Sequence, residues 1–185
     1  IELVGPEGTI ACPTFTRGGA ISLRNERRPF DQDTPSTSGS LASLFLEHPS
    51  VVRSKHPLCS FAAIGKNAGY ICTDHDESKP PYWPMSRMMD LDAKQVIFGC
   101  VMSNPGFTTV HWAQHTLGLA SRHRNKGDYG AEYKKNGKTE LFIAKERGGC
   151  NRGFDKFYSR YKEHGILTSG RVGNAEAICT RMKKA

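Results

Sequence analysis

Apolar side chains recur at helical spacing in two stretches of the chain. The run Thr-Pro-Ser-Thr-Ser-Gly (34–39) supplies hydroxyl N-cap candidates and predicts a helix over 38–47, with three large side chains on its buried face: Leu41, Leu44 and Phe45. His48-Pro49 ends this helix. Aromatic residues at 154, 157, 158 and 161 predict another helix over 154–164, closed by Gly165.

Shorter apolar runs predict strands over residues 9–12, 60–65, 94–102 and 175–180. Of these, 94–102 has the composition of a buried central strand, and Asn136-Gly137 marks a hairpin turn. Prolines and acidic residues over 74–84 predict a loop in which Tyr82 and Trp83 are exposed. The alternation of strands and helices predicts an α/β class, with α+β as the alternative. We expect a mixed central sheet with flanking helices, in one domain over 1–185.

The positive charge of the chain is concentrated in its second half. The net charge is +8; residues 1–118 contribute −1 (ten Lys/Arg, eleven Asp/Glu) and residues 119–185 contribute +9 (sixteen and seven). A basic half suits a polyanion such as a nucleotide phosphate or nucleic acid, but equally a solvated lysine-rich surface. No zinc-finger, basic-heptad or RNP-type pattern occurs, so a nucleic-acid partner is disfavoured. No apolar run approaches the roughly 20 residues of a membrane span, so no membrane association is expected.

The cysteines are scattered and form no CxxC pair. Such spacing favours free, mostly buried thiols in a reducing compartment, and therefore a cytoplasmic location. The N-terminus shows neither an initiator Met nor a signal-peptide pattern, which indicates a chain that begins inside a longer protein.

The segment 107–115 carries the clearest candidate chemistry. It follows the run 94–102 and a Ser-Asn-Pro-Gly break, so it predicts a helix start with His111 on the first turn. Thr108 precedes His111 by three residues and shares its helix face. A histidine general base beside a hydroxyl oxyanion donor suits acyl transfer to an amine. Thr108 suits helix capping equally well.

A metal site is the alternative use of the same helix. His111 and His115 have the i, i+4 spacing of a zincin, but Trp112 stands where that motif has glutamate, and no third ligand follows at useful spacing. We expect no metal.

Several segments together resemble the aminoglycoside 3-N-acetyltransferase family, whose members are acetyl-CoA-dependent enzymes with a fold distinct from the GNAT acetyltransferases. The matching segments follow the family's order across nearly the whole chain: residues 4–14, 30–36, 39–41, 52–65, 91–94, 108–111 (Thr-Thr-Val-His), 153–156 and 170–175.

The resemblance implies roles for individual residues. His111 and Thr108 would be catalytic, as the base and as the hydroxyl near the acetyl carbonyl. Acetyl-CoA would lie beside a helix start and a pocket border: Ser36, Thr37, Ser38, Gly39, Arg53, Ser60 and Phe61. The amine substrate would be met by His56, Gln114, Asp74 and Asp76.

The sequence departs from the family at two places. The family's N-terminal segment, which contributes to the CoA site and the sheet, is absent, and Gln114 stands where an acid is usual.

The resemblance as a whole implies acetyl transfer from acetyl-CoA to an aminoglycoside or a related small-molecule amine, and it allows a homodimer. The alternatives are a catalytically impaired member that binds CoA or a partner and, less favoured, a basic nucleic-acid-binding module.

Overall fold

The computed structural model describes residues 2–16, 19–20, 28–99, 106–119, 121–122, 129–147 and 154–185. Its contacts divide the chain into two compact units. Unit 1 comprises Ile1–Pro84 and Ser121–Arg147, and unit 2 comprises Met85–Ala120 and Gly148–Ala185. The expectation of a single domain stays a prediction.

Unit 1 is built on short antiparallel sheets. One has the order β1-β4-β3, formed by β1 (Thr9–Pro13), β3 (Val52–Arg53) and β4 (Phe61–Gly65). A second has the order β2-β7-β8, formed by β2 (Gly19–Ala20), β7 (Tyr129–Lys135) and β8 (Lys138–Ile143), while β6 (Ser121–Arg122) pairs with β9 (Glu146–Arg147). The hairpin predicted at Asn136-Gly137 joins β7 to β8, and both turn residues have positive φ. Strand β4 is central in its sheet, and its first four residues are buried.

The first helix, α1 (Ser40–Glu47), begins and ends close to its predicted bounds but buries a different face. Ala42 and Phe45 pack with Cys12, Ala62 and Ile64. The prediction that Leu41 and Leu44 are buried is wrong, since they are 54% and 62% exposed. Each precedes a buried residue by one position, which is about 100° around a helix, so the leucines form the neighbouring, outward stripe.

The predicted loop over 74–84 follows α2 (Ala68–Cys72), but its last two residues already belong to the next helix, α3 (Trp83–Asp90). The prediction that Tyr82 is exposed is wrong: its side chain is 7% exposed and meets the Phe15 ring edge-on, with centroids 5.8 Å apart. Phe15 is 67 positions away in the sequence, so local polarity gave no indication of this contact.

Unit 2 contains a sheet with the order β10-β11-β5, made of β5 (Lys94–Phe98), β10 (Thr168–Val172) and β11 (Ala175–Arg181). Two helices, α4 (Thr109–Thr116) and α5 (Phe154–Glu163), accompany it, and α5 ends before Gly165 as predicted. The core consists of Ile97, Phe107, Val110, Phe154 and Ile178.

The prediction of a buried central strand over 94–102 is wrong for its described part. Strand β5 lies at one edge of the described sheet and, because side chains alternate along a strand, only Ile97 is buried while Val96 and Phe98 are half-exposed. Residues 100–102 lie outside the described part of the chain. The mixed α/β class is confirmed, with antiparallel pairing between the described strands. None of the helices in the described ranges combines the length and hydropathy of a membrane span.

Candidate active site

In unit 2, His111 occupies the first turn of α4 and is half-buried. Its Nδ1 lies 3.2 Å from Oε1 of Gln114, one turn further along the helix. A carbonyl oxygen can only accept, so Nδ1 carries the hydrogen and Nε2 is the unprotonated nitrogen. The imidazole also meets the ring of Phe154 edge-on at 5.5 Å between centroids. Helix spacing and aromatic packing thus fix both the tautomer and the orientation of the ring.

Burial lowers the pKa of His111 below its ordinary value, and the hydrogen bond to Gln114 only partly opposes this. The imidazole is therefore neutral at physiological pH. A neutral histidine is the protonation state that a general base requires.

Thr108 is the N-terminal flanking residue of α4, yet its side chain makes no capping hydrogen bond. Its hydroxyl donates to the carbonyl of Gly106 at 3.1 Å. The next residue, Thr109, donates to Oε1 of Gln95 at 3.2 Å and so ties α4 to β5. Thr108 is therefore oriented by the turn before α4, and its role near an oxyanion stays a prediction.

In unit 1, the hydroxyls of Ser36, Thr37 and Ser38 bind the main chain of Phe15. Ser36 Oγ and Thr37 Oγ1 donate to the carbonyl of Phe15 at 3.2 and 3.1 Å, and the amide of Phe15 donates to Ser38 Oγ at 2.9 Å. None of them caps α1, which begins after Gly39. Gly39 has φ 96°, a conformation that favours glycine, so this residue is what allows the chain to turn into the helix.

Arg53, Ser60 and Phe61 are all buried. The Arg53 guanidinium donates to the carbonyls of Gln32, Thr34 and Thr14 and to Ser60 Oγ, at distances from 2.6 to 3.3 Å. Burial lowers its pKa to about 10, opposed by the nearby Asp33. It remains protonated at neutral pH.

His56 is also fully buried, stacked on His75 with ring centroids 4.8 Å apart. Its Nδ1 accepts the amides of Leu58 and Cys59 at 3.2 and 3.1 Å, so Nε2 carries the hydrogen, and this buried donor has no partner among the described residues. Burial lowers the pKa of His56 to about 4.

His75 completes the buried pair. Its Nε2 donates to the carbonyl of Pro80 at 3.1 Å, and its Nδ1 accepts from Ser54 Oγ at 3.0 Å. Burial, and then the neighbouring His56, lower its pKa to about 3. Both rings are therefore held neutral.

The two acidic candidates follow α2. Asp74 is exposed, whereas Asp76 is half-buried and its Oδ1 accepts the amide and hydroxyl of Ser78 at 2.9 and 2.6 Å. Burial alone would raise the pKa of Asp76, but the bonds from Ser78 and the charges of Lys135 and Lys79 together outweigh it, so the pKa is lowered. Asp76 is therefore a carboxylate at neutral pH, the form that attracts an ammonium group.

The described thiols are free. Burial raises the pKa values of Cys12, Cys59 and Cys72 to about 12, so these thiols stay protonated and unreactive. Cys100 and Cys150 lie outside the described residues. Across those described ranges, His, Cys, Asp and Glu do not gather in a group of three or more that could hold a metal ion.

Within each unit, the structure brings some of the predicted residues together. In unit 2, His111 is hydrogen-bonded to Gln114. In unit 1, Arg53 is hydrogen-bonded to Ser60 and to the carbonyl of Thr34, which shortly precedes Ser36 and Thr37 in the chain. Sequence reasoning missed Phe15 and His75, whose partners are distant in the sequence. The catalytic and ligand-binding roles of the residues named from the sequence stay predictions.

Comparison with known families matches residues 1–185 to the family described as aminoglycoside 3-N-acetyltransferase. Aminoglycoside N(3)-acetyltransferase IX of Micromonospora chalcea is 24% identical over 139 residues, which are 66% of this chain and 49% of that protein. The chain thus spans about half the length of this curated relative.

Two solved structures show the same fold. A histidine-to-alanine mutant of aminoglycoside acetyltransferase AAC(3)-IVa in complex with a gentamicin has a TM-score of 0.79 and 26% identity, over 99% of this chain and 67% of that one. AAC-IIIb, in a binary structure with CoASH, has a TM-score of 0.73 and 18% identity, over 97% and 75%. With a family match over its full length, the chain belongs to the aminoglycoside 3-N-acetyltransferase family.

Proposed function

We propose that this chain carries the catalytic base of an acetyl-CoA-dependent N-acetyltransferase, whose acceptor is an amino group of an aminoglycoside or a related amine. The observation that carries the proposal is the His111–Gln114 hydrogen bond, which holds a neutral imidazole with its hydrogen on Nδ1. Family membership and a relative bound to a gentamicin support the acceptor class.

Acetyl-CoA supplies the activated acyl group as a thioester. The amine nitrogen forms the new amide bond while the C–S bond breaks, and the amine proton passes to Nε2 of His111. General-base assistance of this kind contributes about 10²–10⁴-fold in rate. Thr108 is proposed to lie near the developing oxyanion, and Ser36–Gly39 near the acyl donor.

Substrate attraction is assigned to the loop after α2. Asp76 stays ionised because Ser78, Lys135 and Lys79 stabilise its charge, and Asp74 is exposed nearby in the sequence. Carboxylates in this form suit a polycationic amine. Gln114 orients the imidazole of His111 through its hydrogen bond but, being uncharged, does not attract a cationic substrate.

The test measures thiol release from acetyl-CoA with a panel of aminoglycosides and simpler amines. His111→Ala should lower kcat/KM by about 10²–10⁴-fold, whereas His115→Ala, one turn along the same helix, is the matched control and should change it little. Activity that survives His111→Ala would exclude His111 as the base.

Gln114 also favours a second candidate, a catalytically impaired member that binds CoA. CoA binding measured by calorimetry, together with no turnover of any amine, would support that interpretation over the first. A cytoplasmic location and a homodimer remain part of the proposal; size-exclusion chromatography with light scattering tests the dimer.

A further inference from the structure

Arg53 makes an unusually complete set of buried hydrogen bonds in unit 1. Its side chain is 8% exposed. Nη1 donates to the carbonyls of Gln32 and Thr34 at 2.8 and 2.6 Å, Nη2 donates to the carbonyl of Thr14 at 3.0 Å, and Nε donates to Ser60 Oγ at 3.3 Å. The guanidinium carbon also lies 5.2 Å from the centre of the Phe30 ring. These bonds engage all three guanidinium nitrogens, so the positively charged group is bound to other groups of the protein.

The bonded carbonyls come from two separate stretches of chain. Thr14 follows β1, whereas Gln32 and Thr34 belong to the segment that leads into α1. Beyond Thr34, the same segment is bound a second time, through the amide of Thr37 and the hydroxyls of Ser36 and Thr37, to the carbonyl of Phe15. Two successive ties therefore hold the segment to the end of β1, the first of them made by Arg53.

We infer that Arg53 is a positioning residue that fixes segment 31–39 and thereby presents its outer side to acetyl-CoA. This rests on the proposed function, which assigns Ser36–Gly39 to the acyl donor. Arg53 touches no ligand itself in this scheme, because its donors are committed to protein carbonyls and Ser60. Thr37, Ser38 and Gly39 are exposed, as are Gln32, Asp33 and Pro35, whereas the side chain of Arg53 is buried.

The chemistry requires arginine at this position. A planar guanidinium presents its N–H groups in a fixed fork and can reach carbonyls on either side, whereas the ammonium of lysine is a single compact donor group. Lysine would keep the positive charge but lose the simultaneous bonds to Thr14 and Thr34. Arg53→Lys therefore separates positioning from charge.

The direct test is amide hydrogen exchange on the whole chain. In Arg53→Lys, the amides of Phe15 and Thr37 should exchange about tenfold faster or more, the factor expected for losing one hydrogen bond to a charged group, while amides within β4 stay protected. Ser60→Ala removes the bond from Arg53 Nε and the bonds between Ser60 Oγ and Thr14, but it leaves the two Nη groups of Arg53 bonded to the three carbonyls, so it should give a smaller increase. Unchanged exchange at Phe15 and Thr37 in Arg53→Lys would overturn the inference.

The functional arm measures acetyl-CoA kinetics in the same variants. Arg53→Lys should raise KM for acetyl-CoA by about tenfold while kcat changes less than about twofold, since the base on α4 is untouched. Ile71→Ala, a buried change on α2 that removes none of the hydrogen bonds to the segment, is the control for general destabilisation and should leave this KM unchanged. A raised KM in the control as well, or equal losses of kcat in both variants, would mean that Arg53 acts only through stability.

The two proposals fail separately. If the wild-type chain turns over no amine, the proposed function fails, and calorimetric affinity for CoA replaces KM. Faster exchange with reduced CoA affinity in Arg53→Lys then still supports the positioning role. Faster exchange with unchanged affinity overturns the assignment of the segment to CoA.

Discussion

Acidification should destabilise unit 1 through its stacked histidines, His56 and His75. Both rings are fully buried and neutral, with pKa values of about 4 and about 3 against 6.5 for an ordinary histidine. In each ring Nδ1 already accepts a hydrogen bond, so protonation would also break those bonds. The unfolded chain, by contrast, gains both protons as the pH falls below 6.5.

The sign and size follow from proton linkage. Since the folded pKa values are depressed, the stabilisation is complete above pH 6.5 and declines as the pH falls toward 4 and then 3. In that window, each histidine lowers the free energy of unfolding by about 1.4 kcal/mol per pH unit, so the pair lowers it by about 4 kcal/mol between pH 7 and pH 5. A typical domain is stable by only about 5–15 kcal/mol, so the loss is large.

Urea unfolding at several values between pH 7 and pH 5 measures this directly. Trp83 lies in unit 1 and Trp112 in unit 2, so fluorescence in a Trp112→Phe background reports unit 1. His56→Asn offers Oδ1 to the same two amides without titrating and should about halve the slope of unfolding free energy against pH. His164→Asn, at an exposed position in unit 2, is the control. Equal slopes in wild type and His56→Asn would refute the reasoning.

Two further predictions concern unit 2. Gln114→Glu places a carboxylate against Nδ1 of His111 and should raise the pKa of the base, so the acidic limb of the kcat/KM pH profile should move to higher pH by about one unit; an unmoved pH profile would argue against His111 as the titrating group. Phe107→Ala removes a fully buried ring that packs on Tyr161 at 4.8 Å and should cost about 3–5 kcal/mol in urea unfolding, whereas Leu44→Ala on the exposed stripe of α1 should stay within about 0.5 kcal/mol; similar costs for both would contradict the observed burial.

Local signals in the sequence predicted where elements begin and end. His48-Pro49, Gly165 and Asn136-Gly137 each act on their own stretch of backbone, and the corresponding helix ends and hairpin are confirmed. Which face an element buries depends on distant partners. Leu41 and Leu44 have the hydrophobicity of core residues, but the sheet beside α1 packs against Ala42 and Phe45 instead.

The candidate site shows the same division. The helix spacing that pairs His111 with Gln114 can be predicted from the sequence because the two residues are three positions apart. The internal use of Arg53 could not be predicted, since its carbonyl partners at Thr14 and Gln32 are brought in by the fold. From the sequence, the charge of Arg53 indicates a ligand-binding role, whereas the structure shows that its guanidinium binds protein carbonyls.

The division of the chain into interleaved units has a consequence for synthesis on the ribosome. Unit 1 includes residues 121–147, and the pairing of β2 with β7 joins Gly19 to Gly130, which is far along the sequence. At about 5–20 residues per second, translation takes several seconds to deliver the second strand after the first. During that interval β2 has no β7 to pair with. We therefore expect the nascent chain to depend most on chaperones before Ser121–Arg147 leaves the exit tunnel.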